Sequence, residues 1–183
     1  MASPDDIDNA EDITPDTKNW TWVLERRCPD CGFDASTVEV RSLPSWIRAI
    51  SMDWQVALTS PDVRRRPSPG VWSTLEYACH VRDVFDLFDR RLALMLAEDD
   101  PQFENWDQDA TAVEQDYGSQ DPSTVSAGLA AAGERIADRF AGVRDDQWDR
   151  TGRRSDGAVF TVDSFARYFL HDPLHHLWDV EPR

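Results

Sequence analysis

The chain has 183 residues, of which 40% are hydrophobic, and its formal net charge is −16. A chain of this length and composition can bury a substantial core, which excludes a wholly disordered protein. The acidic excess argues against nucleic-acid binding, which needs clustered Lys and Arg, and disfavours an anionic membrane surface. The sequence contains neither a run of ~20 apolar residues that could span a bilayer nor the basic and apolar regions of a signal peptide. We therefore predict a soluble, cytoplasmic protein.

The first part of the chain is irregular in composition. Residues 1–18 are acidic and lack a hydrophobic period, which predicts a flexible tail ahead of a single domain over residues 19–183. The segment after the tail contains Trp20 and Trp22, which must pack on something. We predict a short strand or an irregular segment that lies on the main body, or a homodimer contact through these tryptophans.

Two helices are indicated in the first half of the domain. Apolar residues at helical spacing predict a helix over residues 44–58. The second helix is the clearest, because Ser73 and Glu76 form a capping box and the apolar pattern continues to about residue 97. His80 falls inside the apolar arc of this helix. We expect it to face the core or a cavity within the core.

The second half of the chain predicts two more helices. Residues 99–121 form a long acidic connection, which is typical of a lid or a binding loop. An alanine-rich helix follows over residues 122–143, residues 153–160 indicate a turn, and a last helix runs from about residue 161 to residue 180. Four long helices with little strand signal predict an all-α four-helix bundle with an irregular N-terminal extension.

Three of the four histidines lie in "FLHDPLHHLWD", near the end of the chain. His171 and His175 are four residues apart, so they share a helix face at the spacing that allows two imidazoles to bind one metal ion. His176 points ~100° away from His175, towards a packing face. Asp172 and His176 have the same four-residue spacing and form an alternative ligand pair.

His80 can complete the first pair if the second and last helices are neighbours. Three neutral imidazoles with open positions would suit Zn²⁺, Ni²⁺ or Fe²⁺ and would resemble a catalytic site. The alternative is a buried histidine pair without a metal. Pro173 predicts a local kink in the last helix. Tyr168 and Trp178 share the face of the pair and are predicted to line the same cavity.

The cysteines allow several interpretations. Cys28 and Cys31 in "CPDCG" look like half of a zinc knuckle, which needs two more ligands. Cys79 is the only other thiol, and a small buried side chain is its favoured interpretation. A reduced pair in a tight turn is therefore preferred for Cys28 and Cys31. Asp83, one turn after His80, either orients a metal ligand or is a solvated acid on the polar side of its helix.

The stretches "WSTLEYACHVRDVF" and "FLHDPLHHLWD" resemble the DinB/YfiT-like superfamily, and the resemblance covers residues 44–180. It implies a four-helix bundle in which three histidines hold a divalent metal, and the motif match assigns them to His80, His171 and His175. Members with known activities use thiols, as the mycothiol-dependent maleylpyruvate isomerase and the bacillithiol and mycothiol S-transferases do. The resemblance thus implies a thiol S-transferase whose metal activates a low-molecular-weight thiol for attack on a small electrophile.

Two other functions stay open from the sequence. One is a non-catalytic bundle that binds a metal or a partner. The other is a metal-dependent hydrolase, which is weakened because no Glu stands beside the histidines as a general base. Dependence on an added thiol would distinguish the transferase from the hydrolase.

Overall fold

The computed structural model describes Ile13 and residues 19–181. Apart from Ile13, the predicted tail over residues 1–18 lies outside these residues. The described part contains five α-helices and three short strands. They are α1 (Leu43–Ala57), α2 (Thr74–Ala97), β1 (Gln102–Phe103), α3 (Gln108–Glu114), α4 (Pro122–Ala141), β2 (Thr151–Arg154), β3 (Val159–Thr161) and α5 (Val162–Val180).

The long helices form where the sequence places their caps. The hydroxyl of Ser73 accepts from the backbone N–H of Glu76, and the carboxylate of Glu76 accepts from the backbone N–H of Ser73 at 2.7 Å. The predicted capping box of α2 is therefore confirmed. Asp121 caps α4 by accepting from the N–H of Thr124 at 2.9 Å. Ser42 differs, because its side chain makes no capping bond and the chain enters α1 from a 3₁₀ turn.

The four long helices α1, α2, α4 and α5 form the predicted bundle. Helix α4 packs against both α1 and α2, and α5 packs against the same two helices. Gly133 allows the close approach of α4 to α1, because a Cβ at this position would collide with the side chain of Ser51. Large side chains such as Trp54, Phe85 and Phe169 fill the core and are fully buried. Helix α5 is thus held by α1 and α2 and by the N-terminal extension.

The small sheet is absent from the sequence prediction. Strands β2 and β3 pair antiparallel through the predicted turn, in which Gly157 adopts a φ of +96°. Strand β1 pairs parallel with β2, with Gln102 opposite Arg153. Strands of two to four residues are too short to show a period in the sequence. The sheet ties the start of the 99–121 connection to the end of the bundle.

The N-terminal extension lies on α5 and consists of three 3₁₀ turns. The guanidinium of Arg167 on α5 donates to the backbone carbonyls of Ala35 and Val38 at 2.6 and 2.7 Å. Helix α5 continues without a break through Pro173, whose carbonyl accepts from the indole N–H of Trp54. None of the helices in the described region is long and apolar enough to cross a membrane.

Candidate metal centres

Two groups of potential metal ligands lie on adjacent sides of α5. His171 and His175 are four residues apart on one side, and Asp172 and His176 are four residues apart on the other. A shift of one residue turns the direction of a helical side chain by ~100°. His171 and His175 therefore face the N-terminal extension, and Asp172 and His176 face His80 on α2.

The first group contains His80, Asp172 and His176. One potential ligand atom from each side chain lies within 4.8 Å of the others. The Nε2 atom of His80 is 3.5 Å from Oδ1 of Asp172, and the rings of His80 and His176 are 4.9 Å apart between centroids. The Nδ1 atom of His176 is 2.9 Å from Oδ2 of Asp179. That hydrogen bond fixes the orientation of the ring.

Two members of this group, His80 and Asp172, have buried polar atoms without a hydrogen bond. His80 is fully buried beside the rings of Trp72 and Trp106, and neither of its ring nitrogens has a hydrogen bond. The Oδ1 atom of Asp172 is also buried without a hydrogen-bond partner. Burial of such atoms costs free energy unless a donor, an acceptor or a cation compensates. The donor set therefore fits a divalent cation.

The charge of Asp172 supports this fit. Burial raises its pKa, but the imidazoles of His80 and His176 outweigh that effect and hold the pKa at about 2. The carboxylate is therefore ionised at neutral pH. Two imidazoles and one carboxylate form a ligand set that leaves coordination positions open for water or substrate.

A cavity of about 300 Å³ opens beside α5, where Asp172 and His176 line it and so do His171 and His175. His80 lies beneath its wall rather than on it. The wall is aromatic and charged, and its side chains include Trp20, Trp72, Tyr77, Phe88, Trp106, Arg91, Arg154, Tyr168, Asp172 and His176. The 99–121 connection contributes Trp106, so this segment does border a cavity, as expected of a binding loop.

Arg91 brings a buried positive charge to the cavity. Its side chain is almost fully buried, and its guanidinium donates to the backbone carbonyl of Glu104 at 2.6 Å. Burial and the charge of Arg154 lower the pKa of Arg91 to about 10, so it remains cationic at neutral pH. Among the described residues, no carboxylate lies within salt-bridge distance of Arg91. An anionic group of a ligand can fill this role.

The second group joins α5 to the N-terminal extension. Cys28, Cys31, His171 and His175 each offer an atom within 4.8 Å of the others. The Sγ atom of Cys28 is 3.7 Å from Nδ1 of His175. The Nε2 atom of His171 is buried and has no hydrogen bond. Burial and the neighbouring imidazole of His175 lower the pKa of His171 to about 4, so its ring is neutral at pH 7.

The structure divides the predicted histidine set between the two groups. His80 lies with the alternative pair, Asp172 and His176, whereas His171 and His175 lie with the cysteines. His176, which the helical wheel directed towards packing, faces His80 instead. The sequence did contain a signal for the second group. Cys-x-x-Cys and His-x-x-x-His each supply two ligands, and together they make the four ligands of a zinc site.

The predicted pocket residues take different places. Tyr168 lines the cavity, and its hydroxyl accepts from Arg154 at 3.3 Å. Trp178 packs against His175, with 5.6 Å between ring centroids, and is not among the side chains that line this cavity. Asp83 accepts from the hydroxyl of Tyr117 at 2.6 Å. It therefore orients Tyr117 rather than a ligand of the first group. Sequence reasoning also missed Arg91, because an arginine on an amphipathic helix gives no signal of burial.

Comparisons with known proteins agree on the fold. The model of the DinB superfamily matches residues 48–180 of this chain. A solved structure, YfiT from Bacillus subtilis, superposes with a TM-score of 0.69 at 19% sequence identity and covers 78% of this chain and 85% of its own. That structure is described as a probable metal-dependent hydrolase with an unusual four-helix bundle topology. A search of curated proteins found no match.

Proposed function

This chain belongs to the DinB superfamily, and we propose that it is a divalent-metal-dependent enzyme that transfers a low-molecular-weight thiol to a small electrophile. In this proposal His80, Asp172 and His176 hold the metal. The observation that carries it is the fully buried His80, whose two ring nitrogens lack partners beside a carboxylate and a second imidazole. We propose this set in place of the three histidines that the motif match assigns.

A divalent cation in such a set supplies a Lewis acid, which lowers the pKa of a thiol or a water molecule that occupies its open position. The protein residues supply the rest. Asp179 holds the ring of His176 in place, and Trp72 and Trp106 exclude water from His80. In the proposed reaction the thiol loses its proton to bulk solvent, its sulfur forms a bond to an electrophilic carbon, and the bond from that carbon to the leaving group breaks as the leaving group departs with its electron pair.

The cavity favours an extended anionic ligand. Arg91 follows His80 by eleven residues on α2, which corresponds to ~16 Å along the helix axis. A molecule that reaches both the first group and Arg91 must therefore be elongated and must carry a negative group, as a low-molecular-weight thiol with an attached acid or an acidic electrophile does. Cys28, Cys31 and Cys79 are free thiols, which suits the reducing cytoplasm that we propose as the location of this activity.

A metal-dependent hydrolase is the second candidate, because the similar structure of YfiT is described as that of a probable metal-dependent hydrolase. The same three residues would then hold a cation that activates water. A non-catalytic bundle that binds a metal or a partner is the third interpretation. Thiol dependence separates the transferase from the hydrolase, and turnover of any substrate separates both enzymes from the binding protein.

The test measures consumption of an electrophilic probe by purified protein with added Zn²⁺, Ni²⁺ or Fe²⁺ and with mycothiol, bacillithiol or glutathione. We expect turnover that needs both a thiol and a metal and that a chelator abolishes. The variant Cys79→Ala is the control, since its thiol contacts neither group. Ester or amide hydrolysis without a thiol would favour the hydrolase. Bound metal without turnover of any substrate would favour the binding protein.

A further inference from the structure

We propose that Cys28, Cys31, His171 and His175 bind a zinc ion in a closed, structural site that is separate from the first group. Two thiolates and two imidazoles are a donor set that selects zinc and fills all four of its tetrahedral positions. The site would join the N-terminal extension to the last helix. It does not depend on whether the first group is catalytic.

The backbone of "CPDCG" presents both thiols on one side of a tight turn. The N–H of Gly32 donates to the carbonyl of Cys28 at 3.0 Å, and the N–H of Cys28 donates to the carbonyl of Phe33 at 2.8 Å. Gly32 adopts a φ of +75°, which glycine tolerates better than other residues. The turn is therefore formed by backbone bonds and glycine geometry, and Cys28 and Cys31 are free to act as ligands.

The histidines complete the site from α5. Their rings lie 4.9 Å apart between centroids, and both side chains are buried, as is Cys28. Sulfur and nitrogen ligands of a tetrahedral zinc ion lie ~3.6 Å apart when the bonds have their usual lengths. The 3.7 Å between Sγ of Cys28 and Nδ1 of His175 agrees with this distance.

One buried nitrogen of this group has no hydrogen-bond partner. His171 is only 4% exposed, and its Nε2 atom is buried without a hydrogen bond. Trp20 and Phe33 pack against its ring and shield it from water. A zinc ion would satisfy this nitrogen. Its charge would also cancel the two thiolate charges, so that the buried group would be neutral as a whole.

Asp179 links the two groups. Its Oδ2 atom is 2.9 Å from Nδ1 of His176 and 4.0 Å from Nε2 of His175. A carboxylate behind a metal-bound imidazole fixes the orientation of the ring. The zinc site would thus hold α5 in the rotation that directs His176 towards His80.

The experiment loads the full chain with Co²⁺, which reports coordination by its absorption. A tetrahedral cobalt ion with thiolate ligands absorbs strongly in the visible range and shows a thiolate charge-transfer band. We expect this spectrum in the wild type, in Cys79→Ala and in His80→Ala. It should be lost in Cys28→Ser and Cys31→Ser, together with one bound zinc per chain by metal analysis.

A second measurement needs no variant and therefore does not depend on whether a variant folds. Alkylation of Cys28 and Cys31 in the wild type, followed by mass spectrometry, should be slowed at least ~10-fold by zinc relative to chelated protein. Cys79 serves as the internal reference, because it is buried in the core and belongs to neither group. Equal zinc content in wild type and Cys31→Ser, or equal alkylation with and without zinc, would overturn the proposal.

Discussion

The two sides of α5 carry the same four-residue spacing but face different surroundings. His171 and His175 meet two thiols from a tight turn, which gives four potential ligands, enough to fill a tetrahedral site, although both imidazoles also line the cavity. We call this second group the closed group and the first group the open group. Asp172 and His176 meet a single histidine and border a cavity, which gives three potential ligands and room for a substrate. Spacing within a helix thus identifies a pair that can bind metal, and the elements that pack on each side decide between a structural and a catalytic site.

The largest expected effect comes from His176→Ala, which removes a ligand from the open group. We expect thiol transfer to fall at least ~10³-fold, which corresponds to ~4 kcal/mol of transition-state stabilisation. The thiolate–cobalt spectrum of the closed group should remain. Steady-state kcat/KM and the cobalt spectrum are measured on the same preparation. An unchanged kcat/KM would show that the reaction does not depend on this group.

Removal of the closed group should act on stability instead of turnover. A ligand present at 1,000 times its Kd stabilises the folded state by ~4 kcal/mol, so Cys28→Ser should lower the Tm of the zinc-loaded protein by roughly 8–16 °C. Calorimetry with and without a chelator measures this shift, and Cys79→Ala is the matched control. If Cys28→Ser loses turnover and keeps its Tm, the two groups act as one centre and the comparison fails.

A smaller effect is expected for Asp179→Asn. Its carboxylate accepts a hydrogen bond from the ring of His176 and lies farther from His175. Loss of such a partner lowers metal affinity or activity by ~10–100-fold. We expect the loss in kcat and in metal affinity of the open group, with the cobalt spectrum of the closed group retained. An equal loss of metal from both groups would show that Asp179 supports both sides of the helix alike.

The smallest effect concerns the stability of the metal-free bundle in acid. This stability is the reference against which stabilisation by a metal in either group is measured. Burial raises the pKa of Glu76, but its bonds to Arg66 and Ser73 outweigh burial and lower the pKa below its usual value of 4.5. This stabilisation is complete above pH 4.5 and is lost as the pH falls through the lower folded pKa. Chemical unfolding of chelated protein should show this loss in the wild type. Glu76→Gln should be less stable at neutral pH and should lack this acid dependence.

Local signals in the sequence were sufficient to predict the four long helices and the bundle that they form. The capping box at Ser73 and Glu76 fixed the start of α2, because both of its bonds are formed within four residues. The four helices could be predicted because their apolar residues recur at helical spacing. The extension could be predicted to be irregular because it lacks such a period. The three strands could not be predicted, since pairing between residue 102 and residue 153 is set by the tertiary fold.

The site was predictable in composition but not in its grouping. The helical wheel correctly separates His171 and His175 from Asp172 and His176 by angle. It does not identify the neighbour on each side, and α2 and the N-terminal extension approach α5 from different directions. The structure places His80 beside Asp172 and His176, so the ligand set of His80, His171 and His175 stays a prediction. The cysteines that meet His171 and His175 were left with only Cys79 as a further thiol.

The contact between Cys28 and His175 joins residues that are 147 positions apart, and this separation has a consequence for protein synthesis. A ribosome adds ~5–20 residues per second, so roughly 7 to 30 s separate the synthesis of the two residues. During that interval the extension has no α5 on which to pack, and both of its thiols lack their imidazole partners. The extension can therefore reach its final place only after α5, which is made much later, has formed.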